Sequence, residues 1–540
     1  MPFFFLLSDD AATAKKHYLC VGLNPNPNSD SDSNSDSDPN SDSNSDSDFS
    51  KIRKFEISRF RKKLSENSEL SENSELSEPL NTKHSTLNTK PSKILSPKIQ
   101  LSDHFGYARL LRFTWPSMLM MVTSSVYGAV DGIMVSNFAG TTAFAAINLI
   151  WPFVAILGAF GFMIGIGGSA LVAKIMGEGD MPRARSLFSM FTYVTISLSV
   201  VMGVFGLLMV RRVAIMLGAE GEMINLCVTY GGILFVMLPA YMMQVFFQSM
   251  LITAEKPKMG MWVMIGAGLV NVALDWVFIA EFGWGVAGAA WATGLSQFVG
   301  GIVPLVYLAA RRPGVKLWLG RCRFDVRALM QASSNGVSEF VMNISLSIVS
   351  MLYMMQLMAA AGERGVSAYG VMMYFAFAFC AFFIGYGIGV APVVSFHYGA
   401  DDNAEIKSLL HKSLWITGVG GIAAALVAQL FAVPLSMIFV SYDSELCDLT
   451  VHAFRVYSLM FVVTGVNIFS SAFFTALNNG PVSALISLLR TLVFEAGCVL
   501  MLPMIWEIEG IWWSVVVAEG ITFVVALWLI YAHRRRYGYN

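Results

Sequence analysis

The 540-residue chain is 55% hydrophobic and only 14% charged, and its formal net charge at pH 7 is −1. Because an ordinary soluble domain carries about 25% charged residues, this composition excludes a soluble globular protein and indicates an integral membrane protein. The six cysteines form no CxxC pair and have no His-rich neighbourhood, so we expect neither a disulfide framework nor a metal site.

The first hundred residues differ in composition from the rest of the chain. Residues 25–48 consist almost entirely of Asn, Pro, Ser and Asp, and LSENSE and NTK units recur between 64 and 90. Such a segment has too little apolar surface to offset the entropy of ordering, so residues 1–104 are predicted to be a disordered, low-complexity extension without a secretory signal. Within it, KIRKFEISRFRKKL at 51–64 is either an amphipathic helix on an anionic membrane surface or a solvated basic run.

From Tyr107 onward the chain consists of long apolar runs. A helix needs about 20 apolar residues to cross the hydrocarbon core of a bilayer. The sequence therefore predicts an all-α protein with twelve transmembrane helices, near 109–136, 143–173, 187–210, 226–252, 258–280, 285–309, 330–360, 365–397, 408–432, 450–477, 481–505 and 508–532.

The basic residues of the short loops predict the orientation of these spans. If the N-terminus is cytoplasmic, the opposite loops hold only Arg211, Arg212 and Arg364. The inner loops and the C-terminus then hold 16 basic residues: Lys174, Arg183, Arg185, Lys256, Lys258, Arg311, Arg312, Lys316, Arg321, Arg323, Arg327, Lys407, Lys412, Arg534, Arg535 and Arg536. Since cytoplasmic loops are enriched in Lys and Arg, both termini are predicted to be cytoplasmic in a multi-pass protein of the inner (plasma) membrane.

The chain also repeats itself at a displacement of 222 residues. Under that shift Gly167 falls on Gly389, and Gly177 falls on Gly399. Further matches pair Gly140 with Gly362, Ala146 with Ala368, Phe160 with Phe382, Gly165 with Gly387, Gly288 with Gly510, Trp291 with Trp513 and Gln297 with Glu519. The pattern predicts two six-helix bundles related by a pseudo-two-fold axis along the membrane normal. We assign them to 105–312 and 330–540, the latter with a basic C-terminus, joined by a cytoplasmic linker at 313–329.

Several motifs resemble a known family, and their order is duplicated along the chain. They are Pro116, Asp131, GIGGS at 165–169, KIMGEGD at 174–180, ITAEKPK at 252–258, NVALD at 271–275, GWGVAGAAWAT at 283–293, GVSEF at 336–340 and IGYGIGVAPVVSFHYGA at 384–400. Together they make the segment from about 105 to 532 resemble the multidrug and toxic compound extrusion (MATE) family, of the bacterial type. The N-terminal extension has no part in the resemblance.

Charged groups inside predicted spans are costly, at about 2.5–3.5 kcal/mol each, and are therefore candidates for function. Asn271 and Asp275 are four residues apart, about 40° around a helix, so their oxygens face the same way. With Asp131 of another span they are expected to form a pocket for a proton or a small cation. The resemblance implies that Asp131, Asn271, Asp275 and Thr293 bind the coupling ion. The alternative is a helix-packing hydrogen-bond network that holds no ion.

The second half carries further charged groups. The resemblance implies that an acidic residue at Glu339 acts in some branches with an aspartate of the tenth span, but here that span offers only Asn467. Glu339 is therefore a candidate counter-charge for a cationic substrate, or else a structural carboxylate. Arg490 and Glu495 are about 140° apart on an α-helix, so we expect them not to pair, and we interpret them with Glu519 as structural.

These features favour an exporter of amphipathic, often cationic organic compounds, coupled to proton or sodium antiport by alternating access. The alternative is a flippase of lipid-linked precursors from the same superfamily. The chain has no P-loop, no HExxH motif and no buried Ser–His grouping, so we expect no enzymatic activity, no catalytic residues and no cofactor. The expected partners are small organic molecules and membrane lipids, with no nucleic acid and no obligate protein partner.

Overall fold

A computed structural model describes residues 99–138, 141–311, 315–440 and 444–539. The predicted disorder of the N-terminal extension and the basic segment at 51–64 lie outside these residues, apart from 99–104. Gly140 and Arg312 also lie outside them. Within the described ranges every regular element is a helix and no strand occurs.

The helices follow one another with short connections. In the first half they are α1 Tyr107–Phe138, α2 Thr141–Gly177, α3 Met181–Met216, α4 Glu222–Thr253, α5 Pro257–Asp275 and α6 Gly285–Ala309. In the second half they are α7 Val326–Gly362, α8 Arg364–Gly399, α9 Asn403–Val440, α10 Ser444–Ser458 with Phe461–Ala476, α11 Gly480–Met501 and α12 Pro503–His533. Two stretches have the wider π-helical turn, Trp276–Glu281 directly after α5 and Leu488–Glu495 within α11.

The number of spans agrees with the prediction. Among the described residues, eleven helices are long and apolar enough to cross a membrane, and the two segments of α10 meet the same condition together across a 48° bend. Counting α10 as one broken span gives twelve, which confirms a multi-pass membrane protein. The helices extend several residues beyond the predicted apolar cores, and α7 begins inside the predicted linker at 313–329. Asp325 explains that start, because its side chain accepts a hydrogen bond from the Ala328 backbone N–H at 3.1 Å and caps the helix.

The duplication seen in the sequence reappears in the packing between halves. A Cβ added to Gly177 at the end of α2 would lie 1.9 Å from the carbonyl oxygen of Phe396 on α8. A Cβ added to Gly399 at the end of α8 would lie 1.9 Å from the carbonyl oxygen of Lys174 on α2. Gly177 and Gly399 are 222 residues apart, and so are Lys174 and Phe396, the residues whose carbonyl oxygens they approach. The two backbones therefore touch reciprocally across a pseudo-two-fold axis, as predicted.

The basic loops predicted to be cytoplasmic lie on one side of the protein. We call this side, which carries Arg185, Lys316, Gly177 and Gly399, the basic face. Arg185 donates from Nε to the carbonyl oxygen of Lys316 at 2.9 Å, and Lys316 pairs with Glu255 at 2.7 Å. These contacts join the starts and ends of α3, α4 and α6 on the same side as Gly177 and Gly399. The side of the membrane that this face contacts stays a prediction.

Residues 99–106 differ from the prediction for the extension. Leu101 and Phe105 are fully buried. The Leu101 N–H donates to Glu255 of the first half at 3.1 Å, whereas the Phe105 N–H donates to Glu405 of the second half at 2.9 Å. The boundary predicted at 104 is therefore too late by several residues, because these two apolar side chains anchor the segment across both halves on the basic face.

Candidate functional site

The polar residues predicted in the first half come from α1 and α5. Asp131 lies on α1, and its carboxyl group lies near that of Asp275 on α5. Asn271 and Asp275 are both fully buried, one turn apart on the same helix. The four-residue spacing thus places an amide and a carboxyl group on one face, as the sequence indicated. Thr293 is buried on the neighbouring α6.

These side chains lack hydrogen-bond partners within the described part of the protein. Both carboxylate oxygens of Asp275, Oδ1 of Asp131, both polar atoms of Asn271 and Oγ1 of Thr293 are buried without one. Buried polar groups in native proteins are almost always paired, with protein, water or an ion. A helix-packing network would pair these groups with one another, so their shared lack of protein partners favours a site that receives a proton, a cation or water from outside.

Two tyrosines near this cluster, Tyr127 and Tyr230, were missed by the sequence analysis. The hydroxyl group of Tyr127, one turn before Asp131, accepts a hydrogen bond from Ser124 at 3.5 Å. The hydroxyl group of Tyr230, on α4, lies within electrostatic range of both aspartates. The four-residue spacing from Tyr127 to Asp131 was a readable signal, whereas the approach of α4 depends on tertiary packing.

The second half contains a charged cluster built by three helices. Arg490 of α11 donates to Glu519 Oε1 of α12 from Nε at 2.7 Å and from Nη2 at 2.6 Å. Asn467 of α10 donates from Nδ2 to Glu519 Oε2 at 2.5 Å and to the Glu519 carbonyl oxygen at 2.9 Å. Glu519 thus accepts hydrogen bonds through both carboxylate oxygens and through its own backbone.

Arg490 forms its ion pair with Glu519 rather than with Glu495, as expected, but the angle predicted between Arg490 and Glu495 was wrong. It assumed an α-helix, but Leu488–Glu495 is π-helical, where hydrogen bonds join residues five apart. Residues five apart therefore lie near the same face, and Arg490 is within electrostatic range of Glu495 as well as paired with Glu519. Arg490 of this cluster also lines a cavity.

That cavity lies between α7, α8, α10 and α11, with one residue of α2 in its wall. Glu339, Asn467 and Arg490 line it together with Ser471 and Ser487, and the rest of the wall is mostly apolar. The structure therefore brings Glu339 together with Asn467, the residue that stands in the tenth span where the resemblance implied an aspartate. It places this cluster in the second half, separate from the Asp131–Asp275 pair.

Comparison with known proteins gives a consistent picture. The MatE family model matches the chain twice, at residues 116–277 and 339–498, two segments displaced by about 222 residues. The multidrug export protein MepA of Staphylococcus saprophyticus is 21% identical over 428 residues, covering 79% of this chain and 94% of that protein. MepA of Staphylococcus haemolyticus is 20% identical over 439 residues, with 80% and 94% coverage.

Solved structures match over the same region. One is the outward-facing conformation of a multidrug resistance MATE family transporter of the MOP superfamily, with a TM-score of 0.76 and 22% identity over 82% of this chain and 98% of that one. Another is a MOP superfamily transporter from Pyrococcus furiosus, in which a reversed polarity of the binding pocket is taken to suggest a different function. Its TM-score is 0.75 at 21% identity, with 82% and 98% coverage. These similarities establish the fold.

Proposed function

The chain belongs to the MatE family, the multidrug and toxic compound extrusion transporters, and from this premise we propose that it exports amphipathic organic compounds by cation antiport. The coupling ion is a proton or Na⁺, and the ion and the substrate alternate between the two sides of the membrane as the two halves rock against each other. Relatives named as multidrug exporters support the choice of substrates.

The observation that carries the coupling proposal is the unpartnered polar cluster at Asp131 and Asp275. Two carboxylates cannot face each other in apolar surroundings unless a proton or a cation lies between them, because repulsion and desolvation both oppose it. Asn271 adds an amide oxygen, and carboxylate and carbonyl oxygens are suitable ligands for a hard cation. The residues present therefore fit a proton or a small cation equally.

The Asp131–Asp275 pair couples the ion to export if ions reach it from one side of the membrane at a time. The site fills when it opens toward the side with higher ion activity, and it empties toward the other side. If occupancy favours the state that releases substrate outward, the ion gradient drives export. Gly177 of α2 and Gly399 of α8 bring the backbones of the two halves into contact at the basic face. Opening of that face requires this contact to separate.

The second-half cavity is the proposed place for the substrate. Its apolar wall suits an amphipathic compound, and Glu339 supplies a counter-charge for a cation. A flippase of lipid-linked precursors would need a cationic cavity for its pyrophosphate. The charged groups placed here within the spans lean acidic, with Asp131, Asp275, Glu339, Glu495 and Glu519 against Arg490, so nothing favours that alternative.

The coupling proposal is tested in proteoliposomes with an imposed proton or Na⁺ gradient. Asp131→Asn keeps the volume and hydrogen-bonding capacity of the side chain but removes the exchangeable charge. We expect normal insertion, retained substrate binding and loss of gradient-driven export. Asp275→Asn is expected to act alike, and the double variant is expected to be little worse than either, because the two groups act as one unit.

The control is the same substitution outside the membrane. Asp180 caps α3 by accepting from the Arg183 backbone N–H at 3.0 Å, and asparagine caps a helix equally well. Asp180→Asn is therefore expected to export at the wild-type rate. Gradient-driven export by Asp131→Asn at the wild-type rate would remove the basis for coupling at this pair.

A further inference from the structure

The hydrogen-bond partners of the Asn467 side-chain amide determine its orientation. Its Nδ2 atom faces two groups of Glu519, carboxylate Oε2 at 2.5 Å and the backbone carbonyl oxygen at 2.9 Å. A backbone carbonyl only accepts hydrogen bonds, and so does an ionised carboxylate. Arg490 donates twice to the other side-chain oxygen of Glu519. Hence the NH₂ edge of the amide must face Glu519, and its oxygen must face away.

The Asn467 amide oxygen still needs a hydrogen-bond donor. Asn467 is fully buried, and its Oδ1 atom has no hydrogen-bond partner in the part of the chain that the structure describes. A buried amide oxygen needs a donor. Asn467 lines the second-half cavity beside Glu339, so a ligand in that cavity can provide one.

The other polar side chains of the cavity wall already make hydrogen bonds within the protein. The positive charge of Arg490 is balanced by Glu519, and two of its nitrogens already donate there. Ser471 and Ser487 contact each other at 3.1 Å, so their hydroxyl groups already have partners. The carboxylate of Glu339 and the amide oxygen of Asn467 are therefore two acceptors that the cavity offers to a ligand.

We propose that Glu519 and Arg490 determine the specificity of the second-half cavity by holding the Asn467 amide oxygen available to ligand. The cavity then prefers organic ammonium ions with N–H donors over quaternary ammonium ions, neutral amides and carboxylates of the same shape. This proposal rests on the proposed export of organic compounds and names the substrate class. Glu519 and Arg490 are positioning residues, whereas Asn467 and Glu339 contact the ligand.

The alternative explanation of any cation preference is charge alone. If only the field of the cavity mattered, a primary ammonium and a trimethylammonium ion would bind equally, and removal of a neutral ion pair would change nothing. The Asn467 amide oxygen distinguishes the two, because it accepts a hydrogen bond from an N–H group but not from a quaternary nitrogen.

The test uses four fluorescent probes with the same dansyl group and alkyl chain, ending in a primary ammonium, a trimethylammonium, an N-acetyl amide or a carboxylate. Binding to the purified full-length protein in lipid nanodiscs is measured at equilibrium, without any ion gradient. The wild type is expected to bind the primary ammonium about ten times more tightly than the trimethylammonium probe, which is the effect of one hydrogen bond to a charged group.

Two variants separate orientation from charge. Arg490→Gln with Glu519→Gln leaves the net charge unchanged and removes the carboxylate that holds the Asn467 Nδ2 atom, while the backbone carbonyl oxygen of residue 519 remains as its acceptor. Asn467→Leu removes the amide oxygen and leaves the ion pair intact. We expect the tenfold preference for the primary ammonium to fall severalfold in Asn467→Leu, where the carboxylate of Glu339 still accepts from an N–H group, and to fall less in the double variant. The control is Arg364→Gln with Glu445→Gln, a charge-neutral double change at an exposed ion pair, which is expected to keep the preference.

The outcomes are distinguishable from those of the coupling test. A wild-type ratio in both folded variants overturns the proposal, and so does an equal loss of all four probes, which would indicate a structural role. A wild type without any preference for the primary ammonium also overturns it. None of these equilibrium ratios depends on Asp131, so failure of gradient coupling leaves the result of this experiment unaffected.

Discussion

The reciprocal glycine contact between α2 and α8 gives a quantitative prediction. Substitution of Gly399 by alanine places a Cβ atom 1.9 Å from the Lys174 carbonyl oxygen, whereas real Cβ atoms essentially never approach closer than 3.0 Å. The obstructing atom belongs to helix backbone, so it cannot turn aside as a flexible side chain would. The two helices must move apart by about 1.5 Å to restore ordinary contact.

The size of the effect follows from the cost of overpacking. Forcing an extra methyl group into a packed interface costs about 1–3 kcal/mol. In the proposed alternating-access mechanism this contact separates when the basic face opens, so the cost is expected to fall on the closed state alone. The equilibrium between closed and open states is therefore expected to shift toward open by about 5-fold to 150-fold. Gly177→Ala is expected to have the same effect, since it is the pseudo-symmetric counterpart.

Spin labels on the basic face measure this shift. After replacement of the six native cysteines, labels at the exposed positions Arg183 and Ala404 report the distance between the α2–α3 and α8–α9 connections. Gly399→Ala should increase the population at long distances. Gly418→Ala is the matched control, because a Cβ there meets nothing within 4 Å. An unchanged distance distribution in Gly399→Ala would refute the role of this contact in closing the basic face.

Two further predictions concern the extension and the cavity. Deletion of residues 1–98 should leave the export rate largely intact, because Leu101 and Phe105 retain their contacts with the bundle; a truncated protein that inserts but cannot export would make the extension functional. Glu339→Gln should weaken the binding of cationic compounds more than that of neutral ones of the same shape, as measured by equilibrium fluorescence. An equal loss for both, with normal expression, would instead indicate coupling or a structural role.

Much of the fold could be predicted because membrane insertion imposes simple rules on a sequence. Apolar runs of bilayer length identified the spans, and glycines at a fixed displacement identified the duplication, since close backbone approach needs glycine at both symmetric positions. Helix ends were less accurate, because the helices continue into polar sequence beyond the apolar core. The burial of Leu101 and Phe105 was missed because two apolar side chains in a polar context give no periodic signal.

The candidate sites likewise contain residues that the sequence could place and residues that it could not. Asn271 and Asp275 could be placed on one face from their spacing alone, because α5 is a regular helix up to Asp275. The face on which Arg490 lies could not be predicted, because its π-helical turn changes which residues share a face. No local sequence pattern indicates that turn. Glu519, the partner of Arg490, lies on another helix, and such a pair is fixed only by tertiary packing.

The central claim is that export is coupled to an ion at the Asp131–Asp275 pair. Coupling is reciprocal, so a substrate gradient must be able to drive the ion as surely as the ion drives the substrate. The direct measurement loads proteoliposomes with a cationic dye and records proton and Na⁺ movement when the dye flows out. The account predicts opposite movement of one of the two ions in the wild type and none in Asp131→Asn. Dye efflux by the wild type without movement of either ion would contradict it.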